Sequence, residues 1–202
     1  MSLTRVWTHG NSLVVEDPGE YAYIRHRGWG TELAFALPRE DEDPTNLSLR
    51  NCHIPIPTPA LVDGEVPVLS KIYVLYQTQS EMYIADVVVW DYGQIVCQWN
   101  NDLTGPLLAP GSHLELDASN QLFVPDPQPV STGVGVTLQC QLNVTSVPGD
   151  SPGVDPQLEP WILTVTEVGA DFVYPSAKLT FHTGYIADKG LIAIPVNGVR
   201  KK

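Results

Sequence analysis

Residues 71–96 read KIYVLYQTQSEMYIADVVVWDYGQIV, and how this stretch is read decides the fold. Residues 72–76 and 83–90 are dense in β-branched and aromatic side chains, too short for typical helices and bounded by polar turns, so both read as strands. Asp91, Tyr92 and Gly93 place Gly where a three-residue hairpin loop takes a positive φ, and a turn around Ser80 joins the first two strands, giving a meander of two hairpins. A sheet with one wet face alternates apolar and polar residues, yet neither 72–76 nor 87–90 does. Both faces therefore need a cover. A second sheet supplies one; the candidates for the other are the Pro-punctuated segment 54–67 and a second subunit, which makes a homo-oligomer the expectation.

Working outward, residues 12–16 and 21–26 are short strand candidates joined by Asp17, Pro18 and Gly19, a good turn sequence, and are expected to form a hairpin. Residues 31–37 alternate, with Leu33, Phe35 and Leu37 on one face. A loop over 38–44 holds four adjacent acids between prolines. Strand character resumes over 47–56. After the central stretch, 112–117 and 121–124 read as a short strand pair. Residues 130–144 then put Val134, Val136, Leu138, Cys140, Leu142 and Val144 on one face and small or polar residues on the other, the clearest strand signal in the chain. The Pro/Gly-rich segment 146–160 has no periodicity and reads as a loop. Residues 161–167 and 172–181 are expected to form a final hairpin over Gly169 and Ala170, with a weakly patterned tail from Tyr185 onward.

No segment carries a capped 3.6-residue apolar period. The expectation is thus one all-β domain over 1–202, an antiparallel β-sandwich of jelly-roll or immunoglobulin-like kind with about ten to twelve strands. A chain of 202 residues buries roughly 70% of its unfolded surface without disulfides. Its 16 glycines and 18 prolines suit short strands and tight turns.

The net charge of −12 opposes binding to a phosphate backbone or an anionic membrane, so no nucleic-acid or membrane partner is expected. Cys52, Cys97 and Cys140 are odd in number and set in apolar strand-like stretches, where they read as small buried hydrophobes. The first residues lack a signal-peptide pattern and no apolar run approaches 18 residues, which points to a cytoplasmic location.

Several pieces together resemble an uncharacterised bacterial family of all-β proteins: Trp7-Thr8-His9-Gly10-Asn11, Gly28-Trp29-Gly30-Thr31, His53-Ile54-Pro55-Ile56-Pro57-Thr58-Pro59, the strand 71–78, Gly133-Val134-Gly135-Val136, and Gly169-Ala170-Asp171-Phe172. The resemblance implies one bacterial β domain and brings with it no activity, ligand or catalytic residue.

Two constellations carry chemistry. On a strand, His113, Glu115 and Asp117 share a face, one imidazole and two carboxylates, which is half of a divalent-cation site and the basis of a metal-dependent enzyme reading. Same-face positions lie nearly 7 Å apart, so a neighbouring strand would have to supply further ligands. Trp29, Trp90, Tyr92 and Trp99, with Asn100, Asn101 and Asp102, form the second: an aromatic-plus-amide platform of the sort that stacks on sugar rings, with Trp99, Asn100, Asn101 and Asp102 as its ligand-binding residues. His9, His26, His53 and His182 stand alone in sequence, and Cys52 and His53 point to opposite faces. No P-loop, dinucleotide, HExxH or CxxC motif is present. The leading expectation is a non-enzymatic binding or assembly protein whose ligand is a carbohydrate or other small molecule.

Overall fold

The computed structural model describes residues 2–35, 50–61, 64–79, 82–100, 107–130, 133–142, 161–174, 181–186 and 190–195. Two antiparallel sheets face each other across one apolar core. The seven-stranded sheet contains β1 (Ser2–His9), β3 (Tyr21–Arg27), β4 (Gly30–Phe35), β6 (Val68–Thr78), β9 (Ser112–His113), β10 (Gln121–Phe123) and β12 (Ile162–Tyr174). The five-stranded sheet runs in the order β2 (Val14–Val15), β5 (Arg50–Ile56), β11 (Val134–Leu142), β7 (Met82–Asp91), β8 (Gln94–Trp99). A separate hairpin joins β13 (Phe181–Ile186) to β14 (Gly190–Pro195). The fold is therefore a β-sandwich.

The alternation of β11 works as its sequence dictates: Val134, Val136, Leu138 and Cys140 enter the core, and Gly135, Thr137 and Gln139 face outward. They meet Cys52, Ile54 and Ile56 of β5 and Val87 and Val89 of β7 on the inner face. The opposing layer supplies Leu33, Phe35, Ile72, Val74, Leu163, Val165, Val168 and Phe172. Cys52 and Cys140 are buried, Cys97 is half-buried, and all three are free thiols.

The strands of 71–96 form, but their pairing differs from a meander. β6 belongs to the seven-stranded sheet and β7 to the five-stranded one, so the chain crosses between layers after Gln79. β7 and β8 do form a hairpin, over a two-residue turn in which Tyr92 and Gly93 both have positive φ, 49° and 76°. The expected hairpin of 12–16 with 21–26 is likewise absent: β2 pairs with β5 in one sheet and β3 with β4 in the other. β9 and β10 do not pair with each other but share one edge of β6. Gly169 and Ala170 make no turn; they lie inside the 13-residue strand β12. The loops 38–44 and 146–160 fall outside the described residues.

β12 organises the seven-stranded sheet. One edge pairs with β6 along nearly its whole length, and the other is divided between β4, against Ile162 to Val165, and β1, against Glu167 to Tyr174. The second cover of β6 comes from β1. The Trp7 ring lies over Gly169 and reaches Tyr73, with ring centroids 5.5 Å apart, and the Arg5 guanidinium sits 4.6 Å from the centre of the Tyr73 ring. Tyr73 is fully buried as a result. The Pro-punctuated segment instead crosses between the sheets, where the Tyr174 hydroxyl donates to the Ala60 carbonyl. Tyr73 is thus covered from within the chain.

Arg5 also fixes β1 electrostatically. Its guanidinium donates to both carboxylate oxygens of Asp171, at 2.7 and 3.0 Å, and to the Tyr73 hydroxyl at 2.7 Å, while that hydroxyl donates to Asp171. Burial pulls the Asp171 carboxyl upward, but the hydrogen bonds from Arg5 and Tyr73 and the charges of Arg5 and Lys71 outweigh it and hold it below the usual aspartate range.

Candidate functional site

The outer face of the five-stranded sheet carries a cleft, and strand register explains why. Gly135 of β11 lies between Trp90 of β7 and Pro55 of β5. One row along, Thr137 lies between Val88 and His53, and His53 is itself opposite Val14 of β2. Bulky side chains on either side of a residue with no side chain leave a trough over the β11 backbone. Its volume is about 400 Å³, with Val14, His53, Pro55, Trp90, Gly135 and Thr137 in its lining. A second cleft of about 460 Å³ shares Pro55 and Gly135 and extends to Pro57, Gly133, Ser12 and Thr8.

The trough wall is held by hydrogen bonds. The Trp90 indole N–H donates to Thr137 Oγ1 at 2.9 Å, and His53 Nδ1 lies 2.9 Å from the same oxygen. Thr137 Oγ1 thus joins the Trp90 indole to the His53 imidazole across β11. His53 Nε2 lies 4.0 Å from Glu16 Oε2, and that oxygen accepts a hydrogen bond from Asn51 Nδ2 at 2.6 Å. Burial of Thr137 anchors this chain of contacts to the sheet. The cleft therefore has an apolar, aromatic middle, with imidazole, amide and carboxylate groups beside it.

The sequence-predicted residues fall elsewhere. Trp99 ends β8, packs against the core and donates its indole N–H to the Phe123 carbonyl at 3.1 Å, tying the edges of the two sheets together. Asn100 is exposed beside it; Asn101 and Asp102 lie outside the described residues. The aromatics named with them are dispersed: Trp29 is exposed at the β3–β4 turn, Tyr92 at the β7–β8 turn, and Trp90 is in the trough.

His113, Glu115 and Asp117 do not share one strand, because β9 ends at His113. The His113 ring stacks on Tyr76 with centroids 4.8 Å apart, and its Nδ1 lies 3.0 Å from Ser119 Oγ. Asp117 instead caps the 3-10 turn Ala118–Asn120, accepting from the Ser119 hydroxyl and N–H, and these hydrogen bonds hold its carboxyl below the usual range. Glu115 contributes its backbone carbonyl to Asn120 Nδ2 at 2.7 Å. Among the described residues, no group of three or more His, Cys, Asp or Glu is placed to hold a metal ion.

Two of the sequence pieces that carry the family resemblance, 53–59 and 133–136, are thus neighbours in the sheet and line the trough. The signal available in sequence was Gly133 and Gly135 on the wet face of an otherwise regular strand. Among the described residues no helix is long and apolar enough to cross a membrane.

No family model matches the chain, and no curated protein matches it. Among solved structures, the chain is similar to a carbohydrate-binding module, CBM36, in complex with calcium and xylotriose, at 10% identity, covering 83% of this chain and 98% of that one, with a TM-score of 0.36.

Proposed function

We propose that this protein is a non-enzymatic binding module that holds a neutral carbohydrate in the trough of its five-stranded sheet. The observation that carries the reading is the row Trp90, Gly135, Pro55, an aromatic wall and a Pro wall across bare backbone, with the His53 and Thr137 pair one row away. A pyranose ring offers an apolar C–H face to such walls and hydroxyls to such a pair. The net charge of −12 and the nearby Glu16 carboxylate disfavour an anionic ligand, so the sugar is uncharged.

Isothermal titration against a panel of neutral sugars tests this. Binding by the wild type, lost in Trp90→Ala while Trp99→Ala binds as the wild type, supports the trough as the site. Equal binding by wild type and Trp90→Ala, or none by the wild type across the panel, overturns it.

A further inference from the structure

The trough continues past the point where one ring would fill it. The second cleft takes up the same floor at Pro55 and Gly135 and runs on over Gly133 and Pro57 to Ser12 and Thr8. From Thr137 of β11 to Gly133 just before it the backbone covers four residue steps, about 13 Å at the rise of an antiparallel strand. At Gly133 an added Cβ would meet nothing within 4 Å, so the floor there is open space. The far end is also chemically different from the first. Thr8 and Ser12 bring hydroxyls rather than an imidazole and an aromatic ring, and Thr8 Oγ1 is buried with no hydrogen-bond partner. Such a group is uncommon in a folded protein and lowers stability until something bonds to it.

We infer that the trough binds a linear chain of sugar rings: one ring against Trp90 beside His53 and Thr137, and the next toward Ser12 and Thr8, where hydroxyl meets hydroxyl. This rests on the carbohydrate reading above and adds direction and length to it. The two clefts are successive subsites on one strand pair, and the ligand is a neutral oligosaccharide rather than a free monosaccharide.

The test is titration of mono-, di- and trisaccharides from the gluco-, xylo- and manno- series into wild type, Thr8→Val, Ser12→Ala and Trp90→Ala. In the binding series, affinity is expected to rise at least tenfold from mono- to trisaccharide. Thr8→Val and Ser12→Ala are each expected to lose most of that rise while matching the wild type on the monosaccharide. Because Thr8 Oγ1 bonds to nothing, Thr8→Val should fold normally, and the exposed Ser12→Ala gives an independent reading. Affinity independent of chain length, with both variants equal to wild type, overturns the two-subsite inference and leaves the single-ring reading standing. Absence of saccharide binding, or binding indifferent to Trp90→Ala, overturns both.

Discussion

The indole of Trp7 rests on the backbone of Gly169: a Cβ added there would lie 2.5 Å from the Trp7 Cε3 atom. The glycine is a seat for a ring from the neighbouring strand, which is why it interrupts an otherwise β-branched and aromatic segment. Gly169→Ala is expected to destabilise the protein by about 2 kcal/mol, the usual penalty of overpacking. In a Trp7→Ala background the same change should be nearly neutral. Urea denaturation of the four proteins of this cycle measures the coupling, and additive effects would refute the contact.

Asp171 predicts an acid limb. Its carboxyl ionises below the unfolded-state value of about 3.9, so the stabilisation it provides is complete above that pH and is lost as pH falls through the folded-state pKa. The stability gap between wild type and Asp171→Asn should therefore be widest near neutrality and shrink below about pH 4. Denaturant midpoints measured from pH 7 to pH 2.5 check this; a gap that widens toward acid would contradict it.

Gly135 separates the proposed binding site from the fold. Its outward position meets only Trp90 Cβ, at 3.9 Å, which is ordinary contact. Gly135→Val should leave stability unchanged or raise it by up to about 1 kcal/mol, since glycine weakens a strand interior. The same side chain fills the trough, so sugar binding should vanish. A well-folded Gly135→Val that binds as wild type places the ligand elsewhere.

The thiols should be slow. Cys52 and Cys140 are buried in the core, and burial pushes the half-buried Cys97 up to about 12. At pH 8 a chromogenic disulfide reagent is expected to titrate none of the three at the rate of free cysteine, and all three after denaturation. Rapid reaction of one thiol in the native protein would show that its strand opens.

What could be read from the sequence was what neighbouring residues decide. The strict alternation of 134–142 fixed which side of β11 enters the core, and the dense apolar runs at 72–76 and 83–90 are strands. Which strands pair was not legible there. β6 lies beside β12 rather than β7, with Val74 opposite Val168, a pairing across most of a hundred residues that no local pattern encodes. Gly169 was indistinguishable from a turn glycine until Trp7 was seen above it. The trough was hidden for the same reason. Trp90, Gly135 and Pro55 become neighbours only through the register of three strands, whereas His113, Glu115 and Asp117, close in sequence, separate because their strand stops after one of them.

The division of one β12 edge between β4 and β1 sets a schedule for biosynthesis. Arg5 finds its partner Asp171 across 166 residues, and β1, β4 and β6 are joined in the sheet through β12. During synthesis β1, β4 and β6 are made before their shared neighbour, and the edges that β12 pairs stay open until residue 174 emerges. Late, non-local closure of this kind makes folding slow and exposes the nascent chain to aggregation. The larger sheet is thus completed only by the last of its strands to be made, β12.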